Sequence, residues 1–353
     1  MSVMESIDRE PGRRPTIRPD ERVTMSHGGG GRATAELIRR IFAPHFANPL
    51  LEQGHDVARL ERPEGRIVVS TDGHVISPLF FPGGDIGSLA VHGTLNDVAM
   101  GGARPIALTA GFVIEEGFAL ADLERIAASM GAAARRAGVP IATGDTKVVE
   151  RGKGDGVFIT TTGIGVVPDG VEIGPDRLAA GQAVLLSGTL GDHGVAILSQ
   201  RQGLEFGTTI RSDSAALHRM VADMVAAAPG LALLRDPTRG GLSATLNELV
   251  EGTRLGIAID EAAIPVRGEV ASACELLGLD PLHIANEGKL VCICDARDAE
   301  PLLAVMRRHP EGREAVRIGS VTAEQPGFVR MTTAIGGTRI VDWLSGEQLP
   351  RIC

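Results

Sequence analysis

The sequence has no tyrosine and a single tryptophan, and its aromatic fraction is 3%. Platforms for single-stranded nucleic acid stack bases on aromatic rings, so that class is excluded. Basic charge is not in excess either. Thirty-five Lys and Arg stand against 44 Asp and Glu, a formal net charge of −9, which is the wrong sign for a phosphate-backbone partner. The four cysteines, Cys274, Cys292, Cys294 and Cys353, are too few for a disulfide scaffold and contain no CxxC pair. The longest charge-free stretch, 178–191, has 14 residues, short of the ~18–20 a membrane span needs. Residues 1–23 mix both charges with proline around no apolar core, so no signal peptide is written there. The chain reads as a soluble cytoplasmic protein with neither a nucleic-acid nor a membrane partner.

What is plentiful is glycine: 46 of 353 residues, roughly twice the ~7% of ordinary proteins and without a collagen period. At about 100–200 residues per domain, the length fits two domains that each bury a core. Residues 1–23 read as a disordered leader, with order expected from Thr24. Helical spacing of apolar residues predicts helices at 33–46, 121–137, 241–250 and 270–277. Ser212 and Asp213 would cap a further helix running to Pro229. Strand-like apolar runs lie at 66–70, 106–114, 157–167, 255–259, 290–294 and 317–322. Helices and strands alternate in both halves, which predicts two α+β or α/β domains. These are expected at 24–168 and 169–344, with the boundary in the polar, glycine-rich stretch 168–182 and a tail at 345–353.

His27 precedes four glycines, Gly28, Gly29, Gly30 and Gly31, which open directly into a helix. Bare amides at a helix N-terminus make a phosphate cradle; a flexible hinge is the alternative. There is no GxxxxGK[ST] loop and no strict GxGxxG, so a nucleotide would be held by some fold other than the P-loop or Rossmann types. Four aspartates sit where apolar segments run into glycine-rich turns: Asp72 (VVSTDG), Asp97 (TLNDVAMGG), Asp145 (IATGDTK) and Asp236 (LLRDPTRGG). Each alone makes a turn; together they suit Mg²⁺, which takes a few carboxylates and completes its shell with phosphate oxygens and water. Lys147, Arg239 and His27 lie close in sequence and could meet the remaining phosphate charge. Glu287, in Asn286-Glu287-Gly288-Lys289, is either a general base tuned by burial or part of a strand-entry turn with a surface salt bridge. Cys292 and Cys294 share one face of a strand and, with no histidine nearby, read as small core residues; so does Cys274.

Cys353 ends the sequence, and a prenylation signal needs its cysteine fourth from the end. A tail of nine residues reaches about 30 Å at ~3.3–3.6 Å each, enough for a thiol to move between two active sites as a swinging arm. Leu349 and Ile352 give it apolar purchase.

The segments SHGGGG, STDGHVISPLFFPGGDIGSLAVHGTLNDVAMGGARP, ATGDTKVVERG, LLSGTLGDHGVAIL, RDPTRGG, IANEGK and PRIC span about 26–353. In them the chain resembles the HypE family of hydrogenase maturation proteins, within the PurM-like ATP-binding superfamily. The resemblance implies an α+β, PurM-like architecture whose N-terminal domain dimerises through its sheet, with a second α+β domain behind it and a flexible tail. It implies ATP-dependent dehydration of a carbamoyl group on the terminal thiol, S-carboxamide to S-thiocyanate, supplying the cyanide ligands of the [NiFe]-hydrogenase iron. Cys353 is then the carrier. Asp72, Asp97 and Asp236 hold Mg²⁺–ATP while His27 and Gly28–Gly31 close over the phosphates. Asp145 and Lys147 line the pocket that receives the tail, and Glu287, with Lys147 beside it, removes the amide protons. The implied partners are a second copy of the chain, HypF as carbamoyl donor and the HypC–HypD complex as cyano acceptor.

Rivals within the superfamily fit less well. Selenophosphate synthetase carries its reactive residue beside the glycine loop, and no cysteine here precedes position 274. Aminoimidazole ribonucleotide synthetase and thiamine-monophosphate kinase have no use for a terminal thiol. A carrier scaffold that binds nucleotide without catalysis is the alternative from another class; it expects Cys353 to be modified and never dehydrated.

Overall fold

Alternation along β1 (Arg66–His74) sends Asp72 and His74 to one face of a sheet and Ile67, Val69 and Thr71 to the other. A computed structural model of the chain describes residues 17–204, 210–343 and 351–353. After β1 come a small hairpin of β2 (Phe80–Phe81) and β3 (Gly84–Asp85), then β4 (Arg104–Glu115), β5 (Ile141–Val149) and β6 (Val157–Val167). The four long strands order as β1-β6-β4-β5, with only β4 and β5 parallel. A helical stretch formed by α1 (Arg32–Leu37), a π-helical turn and α2 (Ala43–Phe46) packs Phe42 and Phe46 onto Phe112, with ring centroids 4.7 and 6.3 Å away. Helix α3 (Ile86–Met100) crosses the Asp72 face of the sheet and packs on α4 (Leu120–Ala137).

The second half is a seven-stranded sheet, β13-β12-β9-β11-β7-β10-β8. Its strands are β7 (Ala183–Leu186), β8 (Leu231–Arg235), β9 (Gly256–Asp260), β10 (Val291–Cys294), β11 (Val316–Thr322), β12 (Val329–Thr332) and β13 (Thr338–Val341). Helices α5 (Asp192–Gln202), α6 (His218–Ala227), α7 (Gly241–Val250), α8 (Gly268–Leu277) and α9 (Ala299–Met306) surround it. Cys292 and Cys294 pack with Leu302 and Met306 on one side, while Val291 and Ile293 pack with Leu242 and Leu246 on the other.

Three expectations change. Order starts no later than residue 17. Arg22 bridges to Ala119, Val23 is 1% exposed and bonds Phe118 O at 2.8 Å, and Glu21 pairs with Arg40 at 2.9 Å. Residues 17–23 are therefore part of the fold, while 1–16 lie outside the described residues. The helix expected from Ser212 begins only at His218, and its supposed caps do other work. The tail, expected to be irregular, is described only over 351–353, and there it forms a β-bridge from Ile352 to Ile76. Among the described residues no helix is long and apolar enough to cross a membrane.

Candidate active site

The Asp72 face of β1 meets α3 at Gly93. A Cβ there would lie 3.2 Å from His74 Cε1, 3.5 Å from Asp72 Oδ2 and 3.9 Å from Glu287 Oε2, so its absence leaves one pocket common to three polar side chains. His74 is buried, with Nε2 3.2 Å from Thr161 Oγ1 and 3.7 Å from Asp72 Oδ2. Burial pushes its pKa down although Asp72 pulls the other way.

Asp97 follows Gly93 by about one helical turn and accepts a 2.8 Å bond from Ser70 Oγ. It sits in α3, whose apolar end runs into the glycine turn at Gly101. Burial raises its pKa, with Ser70 opposing and Asp72 adding. Asp236 follows β8; burial, then Asp97 and Asp72, push its carboxyl up to about 7. Among the described residues no three His, Cys, Asp or Glu side chains close around a point as a metal cage. The charge of Asp72 reaches both Asp97 and Asp236, and a few neighbouring carboxylates are the donor type Mg²⁺ takes, with phosphate and water completing its shell.

Glu287 is 4% exposed, and its Oε1 is a buried oxygen without a hydrogen-bond partner. Burial, then Asp236, Asp213, Asp72 and Asp97, raise its pKa well above the carboxylate range. Its backbone is pinned from beneath. Asp213 accepts from Glu287 N at 3.1 Å and Gly288 N at 3.3 Å, and pairs with Lys289 Nζ at 3.0 Å. The side chains of that pair are 4% and 9% exposed, so the expected surface salt bridge of Lys289 is an internal one. Burial works against the Asp213 carboxylate, but Lys289, His193 and the Glu287 amide hold its pKa below the usual value. Glu287 O accepts from Ala215 N and Asn96 Nδ2, each at 3.3 Å.

The last three residues lie in this cleft. Val75 N donates to Cys353 O at 3.0 Å, Ser77 N to Arg351 O at 3.2 Å, and Arg351 pairs with Asp155. Ile352 is 4% exposed and joins the core of the first half. Burial raises the Cys353 thiol pKa strongly, Glu287 and Asp72 adding to it and Arg239 opposing. The thiol thus shares its surroundings with Glu287, Asp72 and Arg239.

Asp145 and Lys147 are elsewhere in the chain. Both stand on edge strand β5, 2.6 Å apart and 70% and 64% exposed. Lys147 holds the Asp145 pKa down. Register runs Asp72 to Thr161, Thr161 to Ala110 and Ala110 to Gly144, so the GDTK segment is three strand spacings, about 14 Å, from Asp72. The expected place of Lys147 beside Glu287 is not met within one chain, because the sheet's width intervenes. The glycine loop sides with β5: a Cβ at Gly28 would be 2.8 Å from Val148 N. His27 Nδ1 lies 2.9 Å from Thr24 N within that loop. Next to it, Ile38, Phe42, Phe46, Thr143 and Asp145 help line a cavity of about 370 Å³.

Fold and site together define a two-domain protein of the AIR synthase related class. Residues 54–167 match the N-terminal domain of AIR synthase related proteins and 179–332 the C-terminal domain. The chain is 64% identical over 341 residues to the carbamoyl dehydratase HypE of Cupriavidus necator, covering 96% of this chain and 97% of that protein. A crystal structure of the hydrogenase maturation protein HypE in complex with ATP matches with TM-score 0.90 at 52% identity, over 94% of this chain and 99% of that one. HypE in a HypE–HypF complex matches with TM-score 0.77 at 44% identity, over 89% and 100%. The chain belongs to the HypE family of carbamoyl dehydratases in hydrogenase maturation.

His74, His193 and Asn96 carry no signal of their own in the sequence, and Asp213 reads there only as a helix cap. His74 and Asn96 stand in the aspartate motifs, two residues after Asp72 and one before Asp97. Asp213 looked like a helix cap because its partners, Glu287 and Lys289, are more than seventy positions away.

Proposed function

We propose that this chain dehydrates a carbamoyl group carried on Cys353, using ATP and Mg²⁺. The observation that carries this is the thiol docked in the surroundings of Glu287, a buried carboxylate with an unpaired oxygen. A carrier without catalysis has no need of such a group, since an unsatisfied buried acceptor is costly. Overall, R–S–CO–NH₂ and ATP give R–S–C≡N, ADP and phosphate. The amide oxygen leaves on phosphate, and the two nitrogen protons leave as the third C–N bond forms.

Asp72, Asp97 and Asp236 would hold Mg²⁺, which when bound neutralises charge on the transferring phosphoryl group. Burial raises the Asp97 and Asp236 pKa values and the nearby Asp72 charge adds to both, so these carboxyls share one poorly solvated place where a cation would favour their charged form. Burial first, and the neighbouring aspartates second, raise the Glu287 pKa, which makes its carboxylate a capable proton acceptor. The raised thiol pKa favours a neutral sulfur in the cleft, whether thiol, carboxamide or thiocyanate. Carbamoylation then takes place with the tail outside, on HypF. The cyano group passes to the HypC–HypD complex, an acceptor that rests on the family resemblance alone.

A second copy supplies what the cleft lacks. The sheet face away from α3 exposes Ile67 (57%), Val69 (62%) and Val113 (38%), and β1 and β5 are its two edges. Laying β5 of one copy along β1 of another would bring Lys147, Asp145, the glycine loop and the adjoining cavity to the Asp72 side. The loop amides and His27 would then meet phosphates and the cavity a nucleoside base.

Glu287→Gln tests the base. It is expected to accept the carbamoyl group on Cys353 and bind nucleotide, while loss of water slows by about 10²–10⁴-fold. Turnover at the wild-type rate would remove Glu287 from this role.

A further inference from the structure

His193, in the first turn of α5, is fully buried and plays no part in the chemistry above. Its Nε2 lies 2.6 Å from Ile352 O, and its Nδ1 2.8 Å from Ser212 Oγ. A carbonyl only accepts, so Nε2 carries the proton. Burial pushes the pKa of the ring down; in the neutral form Nδ1 accepts from the Ser212 hydroxyl. Ser212 Oγ in turn accepts from Ser214 N at 3.1 Å.

The relay is closely walled. Phe81 stands edge-on to the imidazole, with centroids 5.7 Å apart at 88°. Ser212 N donates to Pro82 O at 2.8 Å, and a Cβ on the next residue, Gly83, would lie 2.8 Å from Ser212 O. The relay also belongs to a set that serves the last three carbonyls in turn: Arg351 O from Ser77 N and from Arg201 at 2.8 Å, Ile352 O from His193, and Cys353 O from Val75 N. These contacts read main chain, and the buried Ile352 side chain adds the apolar anchor. They leave the sulfur free to carry hydrogen, a carbamoyl group or a cyano group without undoing the dock.

We infer that His193, held in its Nε2–H form by Ser212, is the positioning residue that locks the tail backbone so that Cys353 meets Glu287. The strap at 212–215 joins this lock to the base, since the residue after Ser212 is the Asp213 that holds the Glu287 and Gly288 amides. The inference rests on Cys353 being the carrier, yet its test needs no dehydration.

The full-length protein is treated with iodoacetamide, and alkylation of each cysteine is followed by peptide mass spectrometry. His193→Ala, which deprives the Ile352 carbonyl of its donor, is expected to speed alkylation of Cys353 about tenfold, with Cys274, Cys292 and Cys294 still protected. His193→Gln, whose amide can donate to the same carbonyl, is expected to restore much of the protection. A Cys353 rate unchanged in His193→Ala overturns the inference. So does a His193→Gln rate equal to that of His193→Ala, which would reduce the ring to a space filler. If His193→Ala exposes all four cysteines, Ser212→Ala decides: faster alkylation confined to Cys353 supports the lock, and an unchanged rate overturns it. A lock that behaves as expected in a protein that never dehydrates would sink the proposed function and leave the lock standing.

Discussion

Asp236 ties the chemistry of the site to the stability of the fold. Folding lifts its carboxyl from 3.8 to about 7, so across that window the native chain holds a proton that the unfolded chain has released. With fewer protons bound in the unfolded state, the slope of stability against pH is negative. The contribution is present at low pH and is lost as pH rises towards 7. Asp97 and Glu287, also raised, act in the same sense, while Asp213, held low, acts in the opposite one. We therefore compare Asp236→Asn with wild type in metal-free buffer: the variant is expected to flatten the fall in Tm between about pH 4 and 7. Identical slopes would contradict the raised carboxyl. At this scale Asp72, Asp97, Asp236, Glu287 and Cys353 were legible as candidates because each sits in a local motif. His193 and Asp213 were not, because what they hold lies 159 and 74 positions away.

Helix α3 brings these residues together, and it was the element hardest to read. Nearly all of its side chains are buried, so it has no polar face and no stripe for a helical period to reveal. Its Gly93 is a spacer. In an ordinary helix interior a larger residue would gain up to about 1 kcal/mol over glycine, but here the added atoms would enter the pocket between His74, Asp72 and Glu287. Gly93→Val is expected to lower turnover by about a hundredfold or more, equivalent to about 2.7 kcal/mol or more at the barrier, while Tm moves by only a few degrees. Loss of fold in step with activity, followed by circular dichroism, would argue that Gly93 serves packing alone. The amphipathic helix α4, by contrast, was read to within one residue, because its buried set of Leu123, Ile126, Ala127, Met130 and Ala134 keeps a clean period.

Across the whole molecule, the sheet separates two groups of candidate site residues. Asp72, Asp97, Asp236, Glu287 and Cys353 gather at the β1 edge, and the glycine loop, Asp145 and Lys147 at the β5 edge. Sequence motifs alone did not reveal this division, since short segments carry no information about which edge of a sheet they occupy. If two copies complete each site, Asp72→Asn and Lys147→Ala are each inactive, yet mixing them after subunit exchange restores activity to about a quarter of wild type, from the one intact site in each mixed dimer. No recovery, with exchange verified by mass, would mean that each chain works alone.

If the proposed function holds, the group on Cys353 loses water here at the expense of ATP. The direct measurement is the mass of the C-terminal peptide after incubation with HypF, carbamoyl phosphate and Mg–ATP. A carbamoyl adduct on Cys353 that loses one water only when hydrolysable ATP is present is the predicted result. An adduct that persists unchanged with ATP, or one that forms on another cysteine, would contradict it.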